Sequence, residues 1–203
     1  SRKVFRIGYT FRYTAWGKQI LKILGSKRES GLFIIHWSFL AHHFRHKLHN
    51  WKRFNTAGGG AIRFYGIHII ALLAEIGYCD VTVSLTFGAS SDEIEKWTAI
   101  FVGTSLPECE VVVDTKSTKG EFRVEHVSNS NGVLENTVFA NLSDPFELRG
   151  DVYELGKDDR RVPILSQLCC SLWEEDENEY EWYHAAIKLW LSVESKTQFQ
   201  YVL

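Results

Sequence analysis

Residues Asn50 to Tyr78 read NWKRFNTAGGGAIRFYGIHIIALLAEIGY, and this stretch decides the fold. A polar, basic segment (Trp51-Lys52-Arg53) runs into three glycines, Gly58 to Gly60, which open an apolar helix carrying one histidine, His68, about two turns in. Ile62, Tyr65, Ile69, Leu72/Leu73 and Ile76 recur at helical spacing as a buried stripe. Gly77 then stops the helix, as a glycine just past the last turn does. Three glycines at a helix start imply a close backbone crossing whether or not a ligand is also bound there.

Outward from this helix the pattern alternates between helix and strand. Upstream, Val4–Tyr9 reads as a strand, Tyr13–Leu24 as a helix with Trp16, Ile20 and Ile23/Leu24 in phase, and Leu32–Phe44 as a long strand covered on both sides at first. Downstream, Val81, Val83, Leu85 and Phe87 alternate with Thr82, Ser84 and Thr86, a half-buried strand with one wet face. Strand-like segments follow at 95–102, 109–116, 121–127 and 133–140, joined by turn-forming links. Their short links argue for an antiparallel meander. Two helices, Arg161–Glu174 and Glu179–Glu194, close the chain, with an acidic run (EEDENEYE) between them as a solvated link and helix start. The expectation is one domain over residues 1–203, of α+β class: one large, mostly antiparallel open β-sheet with helices packed on one face.

At 203 residues with 45% hydrophobic content, the chain is long enough to bury a core as a single domain. The longest apolar run, Gly31–Ala41, is too short to span a bilayer and contains His36. The basic N-terminus has no apolar signal core, and four cysteines without CxxC spacing fit reduced thiols, so a cytoplasmic location is expected. Residues 1–70 carry thirteen Lys/Arg against a single acid, whereas residues 71–203 carry ten against twenty-four, so +12 and −14 make up the net −2. A basic half suits an anionic partner such as a nucleotide phosphate or an acidic surface, unless the two halves neutralise each other within the fold. No nucleic-acid module accompanies the charge. The run HHFRHKLH (His42, His43, His46, His49) has chelating spacings, but no HExxH and no nearby cysteine or acid completes a metal site, and Arg45 and Lys47 repel a cation.

The succession of strand, helix, long strand, GGG-helix, meander and paired helices resembles the C-terminal domain of the Gfo/Idh/MocA oxidoreductases. VFRIGYTFRYTAWGKQILKIL looks like that family's last nucleotide-domain strand and exit (residues 1–12) followed by the crossover helix, with Arg12-Tyr13 where the family has Arg-Phe. GGGAIRFYGIH matches its glycine run, small-apolar pair and Gly-x-His. The resemblance implies a substrate-binding and oligomerisation domain of an NAD(P)-dependent enzyme acting on a sugar or nucleotide-sugar. It implies His68 as the catalytic residue that moves the hydroxyl proton. It also implies Arg12, Trp51, Lys52, Arg53, Arg63 and Tyr65 as substrate contacts, an aromatic face stacking on the sugar and a guanidinium gripping an anion.

The sequence departs from the family in two respects. The aspartate that orients the histidine from one turn earlier is Phe64 here, and the acid expected three residues later is Ala71. Neither GxGxxG nor the family's Glu-Lys-Pro lysine occurs, and Gly58–Gly60 follow a polar segment rather than a strand. NAD or NADP is therefore implied for a complete enzyme but not bound by this chain alone. Two readings result: a substrate-binding unit, not competent alone, or a non-catalytic interaction subunit that pairs with a nucleotide-binding domain or subunit. A homodimer or larger homo-oligomer is expected through the open sheet face, pictured as bearing Val81, Val83, Phe87, Phe122 and Val124.

Overall fold

The computed structural model describes residues 6–24, 31–130, 133–147, 161–173 and 178–202. Seven strands form one sheet: β1 (Leu32–Leu40), β2 (Tyr78–Ser90), β3 (Glu93–Gly103), β4 (Glu108–Asp114), β5 (Lys116–Ser130), β6 (Val133–Leu142) and β7 (Thr197–Tyr201), in the order β6-β5-β1-β4-β3-β2-β7. Four neighbouring pairs are antiparallel, and β1–β4 and β2–β7 are parallel. The α+β class and open, mostly antiparallel sheet are as expected. The uninterrupted meander is not: β1 inserts between β4 and β5, so the chain leaves the meander after β4 and closes on the far side of β1.

Three helices cover one face: α1 (Ala15–Leu24), α3 (Ile67–Ile76) and α5 (Asn178–Lys196); α2 (His42–Arg45) and α4 (Val162–Cys170) lie at the periphery. The core is the layer between them, where Phe33, Ile35, Trp97, Phe101, Val111, Phe122 and Val124 of the sheet meet Ile20, Ile69, Ile70, Leu73 and Leu189 of the helices, all fully buried. The helical stretch Asn55–Ile76 is apolar enough to cross a membrane by length and composition, with a mean hydropathy of 1.4. Most of it is buried in this core, which is why it is apolar.

Several boundaries differ from the sequence expectation for identifiable reasons. Within Val4–Tyr9, Val4 and Phe5 lie outside the described residues, and Arg6–Tyr9 is not a strand: Ile7 N–H donates to Tyr183 Oη (2.9 Å) and Arg6 Nη2 to the Ser171 carbonyl (2.7 Å), which tucks the segment onto the chain's own helices. β1 ends at Leu40, and the expected strand residues His42–Phe44 are helical instead. The acids Glu174–Glu177 are outside the described residues. β7 was hidden behind the helix pattern, because Thr-Gln-Phe-Gln-Tyr carries little apolar periodicity.

The open face also differs in composition. Val81, Phe122 and Val124 are fully buried beneath the helices. An irregularity in the β2–β3 register between Val81 and Val83 turns the strand over, so Val83 is exposed while Ser84 is buried. Ser84 belongs inside because its hydroxyl accepts from Trp97 Nε1 (3.0 Å) and bonds Thr197 Oγ1 (2.7 Å). The uncovered face instead aligns Ile34, Ile100, Val83, Val112 and Leu85 with Glu110, His36 and Thr98.

Candidate functional site

The glycines set the entry to the histidine helix. Gly58 and Gly60 both have positive φ (88° and 78°), a region glycine enters without a Cβ penalty. A Cβ on Gly59 would stand 2.3 Å from the Trp51 carbonyl oxygen, so the short 3-10 turn Trp51–Arg53 lies directly against the helix start. The first helical turns, Ala61–Gly66, are π-helical before α3 becomes regular, a widening often found at functional sites. Gly66 packs on the Trp97 ring, its added Cβ falling 2.7 Å from Cζ3.

His68 sits on the wall of a cavity of about 810 Å³. Its ring meets those of Phe11 (centroids 5.6 Å) and Tyr9 (6.3 Å). Burial among aromatic rings disfavours the imidazolium and pulls its pKa down to about 4, so the ring is neutral at physiological pH. Its Nδ1 is buried with no hydrogen-bond partner among the described residues. Phe64 and Tyr65 line the same cavity with Trp37 and Phe39. Tyr65 packs edge-on against Trp37 (5.5 Å) and Phe39 (4.9 Å), and burial pushes its phenol up to about 12. Gly8, Thr10, His42, Lys52, Asp144, Phe146, Arg161 and Leu165 complete the lining.

Of the residues singled out in the sequence, His68, Tyr65 and Lys52 converge on this cavity. Trp51 borders it through Phe64, its ring edge-on at 5.2 Å, and is half exposed. The three arginines are engaged elsewhere. Arg12 pairs with Glu75 (2.7 Å) and lies 4.2 Å over the Trp182 ring. Arg53 pairs with Glu93 and stacks on Phe44. Arg63 pairs with Glu194 on the opposite side of the helix, against Trp190. Trp37 and Phe39 of β1 were not flagged as site residues, nor were Asp144, Phe146, Arg161 and Leu165, which come from segments after β6 that carry no motif.

Chemically, the cavity offers a neutral imidazole and a phenol that can each donate and accept, aromatic walls, and charged groups of both signs, Lys52 and Arg161 with Asp144. Among the described residues no three metal-ligating side chains gather. Among the described residues, neither β1, which runs into α2, nor β2, which turns back into β3, ends in a glycine-rich turn at a helix N-terminus.

In solved structures, this chain is similar to KijD10, a 3-ketoreductase from Actinomadura kijaniata in complex with NADP and TDP-benzene. The TM-score is 0.62 at 9% identity, over 98% of this chain and 64% of that one. It is similar also to the WlbA dehydrogenase from Bordetella pertussis in complex with NADH and UDP-GlcNAcA (0.62, 11%, 95% and 63%). The WlbA dehydrogenase from Thermus thermophilus, in complex with NAD and UDP-GlcNAcA, gives 0.58 at 10%, over 96% and 56%. At these identities the likeness is one of fold. The chain spans less than two thirds of each of these proteins. No protein-family model matches the sequence, and no curated protein matches it.

Proposed function

We propose that this chain is the substrate-binding and oligomerisation unit of a cytoplasmic NAD(P)-dependent oxidoreductase acting on a sugar or nucleotide-sugar. The observation that carries this reading is the aromatic-walled cavity that brings His68, Tyr65 and Lys52 together. The nicotinamide, which supplies the redox chemistry, belongs to another domain or chain; that no GxGxxG occurs in this sequence supports the reading. This chain's part is to stack the sugar ring on the aromatic wall, hold its reacting oxygen against His68 and Tyr65, and exclude water. His68 enters as a neutral ring able to accept the hydroxyl proton.

A second reading is favoured by one observation. With Phe64 and Ala71 around it, His68 lacks the acid that would raise its basicity, which suits a subunit that binds and assembles without turnover. We extend the proposal to a second copy seated on the open sheet face, whose Ile34, Ile100 and Val83 would otherwise stay wet. Free cysteines at 79, 109, 169 and 170 support the cytoplasmic assignment. The test is equilibrium binding of a sugar and nucleotide-sugar panel to the parent and to His68→Ala and Trp51→Ala. Saturable binding weakened by His68→Ala supports the substrate site. Binding of the whole panel at the same weak affinity in all three proteins sinks it.

A further inference from the structure

The open sheet face carries one charged group that its apolar neighbours do not explain. Glu110 stands on β4, the central strand, between Ile34 of β1 and Ile100 of β3, and is exposed. Among the described residues it enters no ion pair. A second copy laid on this face would strip water from that carboxylate, which is costly unless a cation meets it.

The strand register shows where the cations of this face lie. Its residues form rows across the strands. The row of Glu110 also holds Glu125, Ile34, Ile100 and Val83, and none of these is a cation. The next row brings Arg123 and His36, beside Val112 and Thr98. Arg123 is held by Glu125 (3.4 Å), and burial lowers the pKa of His36, which leaves its ring neutral at physiological pH. The row beyond contains Lys96, with Asp114, Glu121 and Phe87. Lys96 Nζ lies 5.7 Å over the Phe87 ring and enters no ion pair among the described residues. Lys96 pairs in register with Asp114, four residues beyond Glu110 on β4. Lys96 and Glu110 are therefore about 14 Å apart, too far to meet within one chain.

Symmetry then decides how two copies can meet. In an isologous contact the same face is used twice, and for two sheets face to face the two-fold axis lies in the plane between them. An axis along the strands returns every row to itself, so Glu110 would meet only Glu125 and apolar side chains. An axis across the strands exchanges the rows on its two sides. Passing the Val112–Thr98 pair, it exchanges the row of Glu110 with the row of Lys96. A tilt of the axis by half of the roughly 30° crossing of aligned sheets shifts Glu110 sideways by most of one strand spacing, from Asp114 onto Lys96. The same tilt carries Asp114 toward the second copy's His36. It carries Glu121, already held by Lys119 (3.0 Å), toward the second copy's Arg123. Ile100 and Val83 then pack toward Leu85 and Phe87, and Glu108 stays at the solvated end of β4.

We propose that the second copy sits about a two-fold axis running across the strands past Val112 and Thr98, with Glu110 of each copy paired to Lys96 of the other. This orientation rests on the sheet-face contact proposed above; the contact does not rest on the orientation.

Sedimentation equilibrium and disulfide trapping of the chain test this. Glu110→Lys and Lys96→Glu should each weaken the dimer about tenfold or more, with melting temperatures unchanged, and the two together should restore its dissociation constant to within about threefold of the parent. In a background carrying Cys79→Ser, Cys169→Ser and Cys170→Ser, Glu110→Cys combined with Lys96→Cys should give a covalent dimer on oxidation, and neither cysteine alone should. A Glu110→Cys chain that cross-links to itself places the axis along the strands and overturns the orientation. A dimer that Val83→Asp dissociates, but that both charge reversals leave unchanged, keeps the sheet-face contact and overturns the orientation. A parent that is monomeric at micromolar concentration, or a dimer untouched by Val83→Asp, overturns the contact and the orientation with it.

Discussion

Gly66→Ala separates the packing role of the Gly-x-His sequence from any ligand role. Gly66 has ordinary helical angles (φ −61°, ψ −30°), so a methyl group there meets no backbone penalty. It does meet Trp97: the added Cβ would lie 2.7 and 2.8 Å from two ring carbons, where contact normally begins near 3.5 Å. The ring has little room to retreat, being fully buried with its Nε1–H donated to Ser84 Oγ at 3.0 Å. Overpacking of this kind costs roughly 1–3 kcal/mol, and disturbing the buried hydrogen bond adds about 1 kcal/mol. The better helix propensity of alanine returns about 1 kcal/mol. The net is a loss of about 2 kcal/mol, or roughly 4–8 °C in melting temperature for a chain of this size. Circular dichroism melts of Gly66→Ala, Trp97→Phe and the double variant form the assay. With the smaller Phe ring in place, Gly66→Ala should become neutral or stabilising. A Gly66→Ala protein as stable as the parent in the Trp97 background would refute the packing account.

Lowering the pH should weaken the fold through His68. Its folded pKa of about 4 lies below the unfolded value of about 6.5, so the unfolded chain binds the extra proton. Stability is full above pH 6.5 and declines down to about pH 4, by at most about 3 kcal/mol; denaturant melts of His68→Gln should show a shallower decline over that window. Burial and the neighbouring Arg53 also lower His43, so part of the slope should survive in that variant. Arg12→Ala removes the Glu75 ion pair and the contact with Trp182, and should cost roughly 2 kcal/mol in thermal melts while changing ligand affinity less than twofold. Val83→Asp places a charge on the open sheet face and should shift sedimentation of the chain toward monomer; a parent already monomeric at micromolar concentration would contradict the second copy on that face.

The parts of the fold that the sequence revealed are those governed by local rules. The helix that ends at Ile76 and its stop at Gly77, which has a left-handed φ of 113°, were readable, whereas the π-helical turns Ala61–Gly66 were not. The face of β2 was not, because a register irregularity between Val81 and Val83 reverses the side chains that follow as far as Phe87, and the hydroxyl of Ser84 is buried to satisfy Trp97, thirteen residues away. The same limit governs the site. His68 and Tyr65 share one helix, and Lys52 is brought beside them by the turn that packs on Gly59. Whether an arginine faces a ligand depends on distant carboxylates: Glu75 takes Arg12, Glu93 takes Arg53 and Glu194 takes Arg63, and none of these partners is signalled locally. Asp144, Phe146 and Arg161 reach the cavity through tertiary packing that no periodicity encodes.

The central claim is that the cavity beside His68 is a ligand site. A crystal structure of this chain soaked with a nucleotide-sugar at saturating concentration tests it directly. The account predicts density for the sugar against His68 and Tyr65. Density bound at full occupancy elsewhere on the molecule, with the cavity holding only water, would contradict it.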